Sequence, residues 1–161
     1  MNPDGGAVGA RRNARGVDLN MQFDSRWRRT PYSGRAPFTQ PEARAMKALL
    51  EWISPDLVIS LHGFTESVDT TGGGRRAAAA RAFSRLTALG PAKVVRCTGG
   101  PCHGNMTDWY TATSTVRGVA FTVEMPRSSR QPRPCKVPGH RVRMAPVRCV
   151  AWAVRYLAPR L

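Results

Sequence analysis

The chain has 161 residues, 42% of them hydrophobic, a formal net charge of +15 and a sequence pI near 11.4. That length supports one compact domain with a real core and not two; no run approaches the roughly 20 apolar residues of a membrane span, and Met1-Asn2-Pro3-Asp4-Gly5-Gly6 lacks the basic-then-apolar pattern of a signal peptide. The charge suits attraction to nucleic acid, acidic lipid or an anionic cell wall, yet the cations are spread along the whole chain, nearly all arginine with lysine only at Lys47, Lys93 and Lys136, and no aromatic-basic interleaving or helix-turn-helix pattern supports a nucleic-acid binder.

The first forty residues are rich in Gly, Pro, Arg and Asn and read as loop around brief extended pieces such as Val17-Asp18-Leu19. Thr39-Gln40-Pro41-Glu42 has the capping-box pattern with a proline in the first turn, and Ala43, Met46, Leu50 and Ile53 follow at helical spacing, which predicts a helix from about Gln40 to Ile53. Ser54-Pro55-Asp56 ends it. Leu57 to Leu61 is then a short apolar run of the kind buried on both faces of a sheet, with His62-Gly63 at its carboxyl end, where functional side chains of open α/β sheets gather.

After the Thr70 to Gly74 turn, Arg75 to Leu89 reads as an alanine-rich helix and Lys93 to Arg96 as a possible strand. Val119 to Glu124 is a second buried strand, ending in a carboxylate. Residues 127–139 are polar and proline-rich, a long loop, and Val147, Val150, Ala151, Val154 and Leu157 form one stripe of a closing helix within 140–161. This order favours a three-layer α/β/α domain with a mixed, mostly parallel sheet.

Cys97, Cys102, Cys135 and Cys149 are too few and too irregularly spaced for a disulfide-rich scaffold or a zinc finger. A local Cys97–Cys102 bridge is expected in an oxidising compartment, with Cys149 a buried thiol on the last helix. His62 and Glu124, each ending a buried strand, form a candidate catalytic pair.

The sequence around that pair resembles the zinc carboxypeptidase family, particularly its bacterial murein-peptide amidase branch. The family's NPDG turn appears as Asn2 to Gly5, its R-x-N-A-x-G-V-D-L-N-R-N-F block as Arg11 to Phe23, and its S-G-x-x-P-x-S-E-P-E stretch as Ser33 to Glu42. The P-D-x-x-x-x-x-H metal strand appears as Pro55 to His62, the G-x-x-x-D-W loop as Gly104 to Trp109, and the catalytic T-x-E strand as Thr122-Val123-Glu124. The motifs keep the family's order from Asn2 to Pro126.

The resemblance implies a zinc hydrolase acting on C-terminal residues or peptidoglycan stem peptides. It implies His62 as a zinc ligand, Glu124 as the general base, Arg11 as the oxyanion-stabilising arginine and Asn20 as a substrate-carboxylate contact. In the family the other two zinc ligands come from an H-x-x-E motif ahead of NPDG. None of His62, His103 or His140 has a glutamate three residues later, and Glu66 lies four after His62. Residues 1–161 therefore read as one partial catalytic domain missing its N-terminal strands, with an in-frame H-x-x-E expected within about one hundred residues upstream.

Met21-Gln22 stands where the family has Arg-Asn, so the cation that anchors the substrate carboxylate is gone unless Arg12, Arg26 or Arg28 reaches in. His103 is read either as lining the pocket or as a plain loop histidine. A non-catalytic relic that binds peptide or cell wall is the alternative to the hydrolase.

Overall fold

The computed structural model describes residues 1–63, 65–97, 102–113, 118–126, 133–137, 140–144 and 146–157. In chain order these form α1 (Pro3–Val8), a 3₁₀ turn (Leu19–Met21), α2 (Pro41–Ile53), β1 (Leu57–Gly63), β2 (Ser67–Asp69), α3 (Gly74–Thr87) and β3 (Ala92–Lys93). They continue with α4 (Met106–Ala112), β4 (Val119–Met125), β5 (Arg133–Val137), β6 (His140–Met144) and α5 (Pro146–Leu157). Two compact units result, one from residues 1–55 with 96–117 and one from 56–95 with 118–161. Among the described residues no helix is long and apolar enough to cross a membrane.

The second unit is built on a mixed sheet in the order β1-β4-β2-β3. β1 runs parallel to β4 and β2 parallel to β3, while β2 and β4 are antiparallel. Side chains alternate along a strand, so the odd-numbered Val119, Phe121, Val123 and Met125 share one face of β4. That face forms the core with Val68 of β2, Ala79, Ala80 and Phe83 of α3, and Val150, Ala153 and Leu157 of α5. Alanines let the α3 backbone approach closely while Phe83 meets Phe121 edge-on at 5.4 Å between ring centroids. Leu57 and Ile59 of β1 pack against the same core.

Beneath α3, Arg76 and Asp69 form an ion pair at 3.2 Å with side chains only 3% and 10% exposed. The other Asp69 oxygen accepts from the Thr71 backbone N–H, the Thr71 hydroxyl and the Val95 N–H. With that many donors the carboxylate locks the start of α3 to the strand before it.

Several sequence expectations give way to tertiary context. β1 is half-buried and Leu61 is 47% exposed, because among the described residues this strand pairs only with β4 and forms the sheet edge. The capping box ahead of α2 does not form: the cap is Gln40, without a side-chain hydrogen bond, and the Thr39 hydroxyl turns to Gln22 Oε1 at 3.0 Å instead. The amino-terminal stretch read as loop contains α1, whose Asn2 side chain accepts from the Gly5 N–H at 3.0 Å with Pro3 in the first turn. The predicted strand at 93–96 shrinks to Ala92–Lys93.

The 127–139 loop and 140–161 helix also need revision, since β5 and β6 pair as an antiparallel ribbon and the helix begins only at Pro146. Residues 127–132 and 138–139 lie outside the described residues. On α5 the buried positions are Cys149, Val150, Ala153 and Leu157, while Ala151 is exposed. Cys149 is not a free thiol: it is disulfide-bonded to Cys135, 14 residues away, tying α5 to β5.

Two stability results follow. Asp69→Ala should cost about 3–5 kcal/mol in denaturant melts, because it breaks a buried ion pair and removes the acceptor of three further donors. Replacing Cys135 and Cys149 together by alanine should cost about 2–4 kcal/mol, since the bridge closes a loop on the order of 15 residues in the unfolded chain.

Candidate active site

The even-numbered residues of β1 and β4 point away from the core. In the parallel register Ser60 lies opposite Thr122 and His62 opposite Glu124, and the antiparallel partner of Glu124 on β2 is Ser67. Adjacent strands lie about 4.8 Å apart, and register partners direct their side chains to the same face. His62 and Glu124 therefore emerge side by side on a polar face, half-buried, while Leu61 and Val123 take the other side. The His62 Nε2 lies 3.1 Å from the Ser60 hydroxyl, which orients the ring along this face.

Among the described residues no group of three or more His, Cys, Asp or Glu side chains is arranged to hold a metal ion. The described residues by themselves do not make up a zinc site. In the register His62 stands beside Glu124, and Glu66 lies in the connection between β1 and β2.

The other candidate residues belong to the first unit, where one carboxylate organises them. Asp18 is 6% exposed; its Oδ2 accepts from Arg11 Nε at 2.7 Å and its Oδ1 from the Asn20 backbone N–H at 3.0 Å. Its own N–H donates to the Tyr32 carbonyl at 2.8 Å. Asp18 thus caps the 3₁₀ turn that carries Asn20 and holds the exposed Arg11 guanidinium by its Nε. Sequence reasoning did not single out Asp18, although it stands inside the V-D-L-N motif, because spacing alone does not reveal that one side chain serves both neighbours.

The Met21-Gln22 replacement divides into two parts. Gln22 is fully buried, donating to the Ser33 and Ala36 carbonyls and accepting from the Thr39 hydroxyl and the Gln40 N–H, each at 3.0 Å. It is the hub of the loop that follows. Met21 is half-buried, and its Sδ accepts from the Thr30 hydroxyl at 3.6 Å. Gly104 supports the turn from the other side: with φ at +69°, it donates to the Ser25 carbonyl at 2.7 Å and accepts from the Phe23 N–H at 2.8 Å. A Cβ there would lie 2.7 Å from the Met21 carbonyl oxygen, so glycine is required on both steric and conformational grounds.

Cys97 and Cys102 are disulfide-bonded, with their Cα atoms 4.9 Å apart, as expected. The next residue, His103, places Nδ1 3.0 Å from the Arg26 carbonyl oxygen. Residues 104–109 are not all loop: Asn105 caps α4 by accepting from the Asp108 N–H at 2.7 Å, and Asp108 pairs with Arg26. Trp109 joins Phe23 and Phe38 in an aromatic cluster with centroids 5.4–5.7 Å apart.

A mixed sheet with flanking helices, and the motif residues standing at these positions, define a zinc carboxypeptidase-type chain. It belongs to the zinc carboxypeptidase family, whose sequence model matches residues 1–138. Murein peptide amidase A from Escherichia coli K12 and that from E. coli O157:H7 are each 34% identical over 79 residues, which is 38% of this chain and 33% of theirs. The crystal structure of murein-tripeptide amidase from E. coli O157 matches 99% of this chain with a TM-score of 0.62 at 20% identity, and the match spans 64% of that structure. The fold is thus of that kind, and the chain spans about a third of the length of the curated relatives it matches.

Asp18 provides a test of this arrangement. Asp18→Asn keeps an acceptor for the Asn20 amide and loses only an ion pair with an exposed arginine, so it should cost less than about 1 kcal/mol. Asp18→Ala removes both contacts at a buried position and should cost about 1–3 kcal/mol in urea titrations.

Proposed function

We propose that this chain carries part of the machinery of a zinc-dependent peptide-bond hydrolase whose substrates are peptidoglycan stem peptides or C-terminal residues. The observation that carries the reading is the β1–β4 register, which sets His62 beside Glu124 on the polar face of the sheet. The family match and the names of the amidases support the substrate class.

In this reading Glu124 is the general base, taking a proton from the attacking water and passing it to the leaving amine. Arg11, held by Asp18 through Nε, takes the part of the oxyanion-stabilising arginine that the family resemblance gives it. Asn20 donates to the substrate from the turn that Asp18 caps. His62 is the one histidine assigned to the metal. Because the described residues do not assemble three ligands, this 161-residue polypeptide by itself is proposed to bind the peptide without cleaving it. That is also where the second reading, a non-catalytic peptide- or wall-binding protein, draws its support. The +15 charge would aid adhesion to an anionic wall in either case.

The test combines metal analysis with turnover. After dialysis the isolated chain is expected to hold well under one zinc per molecule and to leave a murein tripeptide intact, while binding that peptide more weakly by about tenfold when Arg11 is replaced by alanine. Stoichiometric zinc together with hydrolysis abolished by Glu124→Gln would overturn the non-cleaving part of the proposal. Peptide binding indifferent to Arg11 would overturn the site itself.

A further inference from the structure

The first unit encloses a small cavity beside Met21, about 70 Å³ in volume. Half-buried Asn20, Met21, Thr30 and His103 line it together with the more exposed Arg11 and Arg28, and Cys97 of the Cys97–Cys102 bridge closes one wall. A cavity of that size has room for several waters and so for a carboxylate on a short stem.

Met21 cannot hold a carboxylate, since a thioether has no proton to donate and its sulfur already accepts from Thr30. The sequence leaves three arginines as substitutes, and the structure separates them. The Arg12 guanidinium carbon lies 3.5 Å from the centroid of the Tyr32 ring, committed to a cation–π stack. Arg26 is paired with Asp108. Neither lines the cavity; Arg28 does, and among the described residues it forms no ion pair with a carboxylate.

His103 does not compete for the role. Its Nδ1 is spent on the Arg26 carbonyl oxygen at 3.0 Å, so at most one ring nitrogen is left for a ligand, whereas a guanidinium offers paired N–H groups. Arg11 has its Nε engaged by Asp18. We infer that Arg28 supplies the cation of a carboxylate-binding subsite in this cavity, where Met21 itself offers none. The ligand is a small carboxylate such as the end of a peptide, gripped by a guanidinium whose paired N–H groups match the two oxygens. Arg28 is then a specificity-determining residue of the site described under Proposed function, and the inference rests on that reading for its biological ligand only.

The experiment uses the intact 161-residue chain with ¹³C-methyl-labelled methionine and needs neither metal nor turnover. There are six methionines, so the Met21 signal is identified with Met21→Leu. N-acetylalanine is the probe, and its methylamide, which lacks the carboxylate, is the control. Titration with N-acetylalanine is expected to shift the Met21 methyl resonance, and the methylamide is expected to leave it in place. Arg28→Gln should weaken the N-acetylalanine affinity by about tenfold or more, Arg28→Lys should restore part of it, and Arg35→Gln should change nothing. The inference is overturned if the methylamide binds as well as the acid, if Arg28→Gln binds like the parent, or if the Met21 methyl does not respond. Arg28-dependent binding of the acid in a chain whose murein-tripeptide binding ignores Arg11 would uphold the subsite and remove the hydrolase reading alone.

Discussion

The two-residue period of a β-strand governs the candidate site. Burying Val119, Phe121, Val123 and Met125 under α3 and α5 commits the odd positions of β4 to the core and forces Thr122 and Glu124 onto the opposite face. The parallel register with β1 then does the same for Ser60 and His62. A slip of one residue would send either His62 or Glu124 into the apolar side, at a cost in buried charge that the core would not tolerate. The placement of the candidate residues and the packing of the core are thus two faces of the same pairing.

The first unit has less regular structure and achieves order differently. Buried amides and carboxylates stand in for a hydrogen-bond ladder. Asn13 donates to Gln40 and Glu42 while accepting from the Arg15 and Val17 amides, Gln22 ties residues 33–40 together, and Asp18 joins Arg11, Asn20 and Tyr32. Loops need such partners because an unpaired buried backbone group costs about as much as a lost hydrogen bond. The same economy leaves the Met21 side chain out of the framework of the turn, since the backbone around it is held by Asp18, Gln22 and Gly104.

The legible part of the fold was the part written in apolar spacing. α2, α3, β4 and the start of β1 stood out because hydrophobic residues recur at helical or strand intervals over enough length to be distinctive. α1 was hidden by Gly5 and Gly6, which lower helix propensity; it is the Asn2 cap and Pro3 that start it. β2 has three residues and carries no period of its own. The β5–β6 ribbon was masked by prolines and arginines, although Cys135 and Val137 alternate ahead of Pro138-Gly139 and Val142 and Met144 after it, a hairpin signal that outweighs the polar composition.

For the site, residue identities were legible from motifs and their relations were not. His62, Glu124, Arg11 and Asn20 could be picked out one by one, but the face that His62 and Glu124 share depends on register, and the support of Arg11 and Asn20 by Asp18 depends on a turn closing. Likewise the Cys149 partner lies across a ribbon that spacing did not suggest.

The central claim is the pairing of His62 with Glu124 on one face of the sheet, and paired cysteines measure it directly. Adjacent strand positions fall within the Cα separation of about 4.4–6.8 Å that a disulfide spans. In a His62→Cys/Glu124→Cys variant, peptide mapping by mass spectrometry under mild oxidation should show a 62–124 bridge beside the two native ones, whereas His62→Cys/Val123→Cys, with its thiols on opposite faces, should not cross-link. A bridge that forms readily at 62–123 and not at 62–124 would contradict the register and, with it, the site.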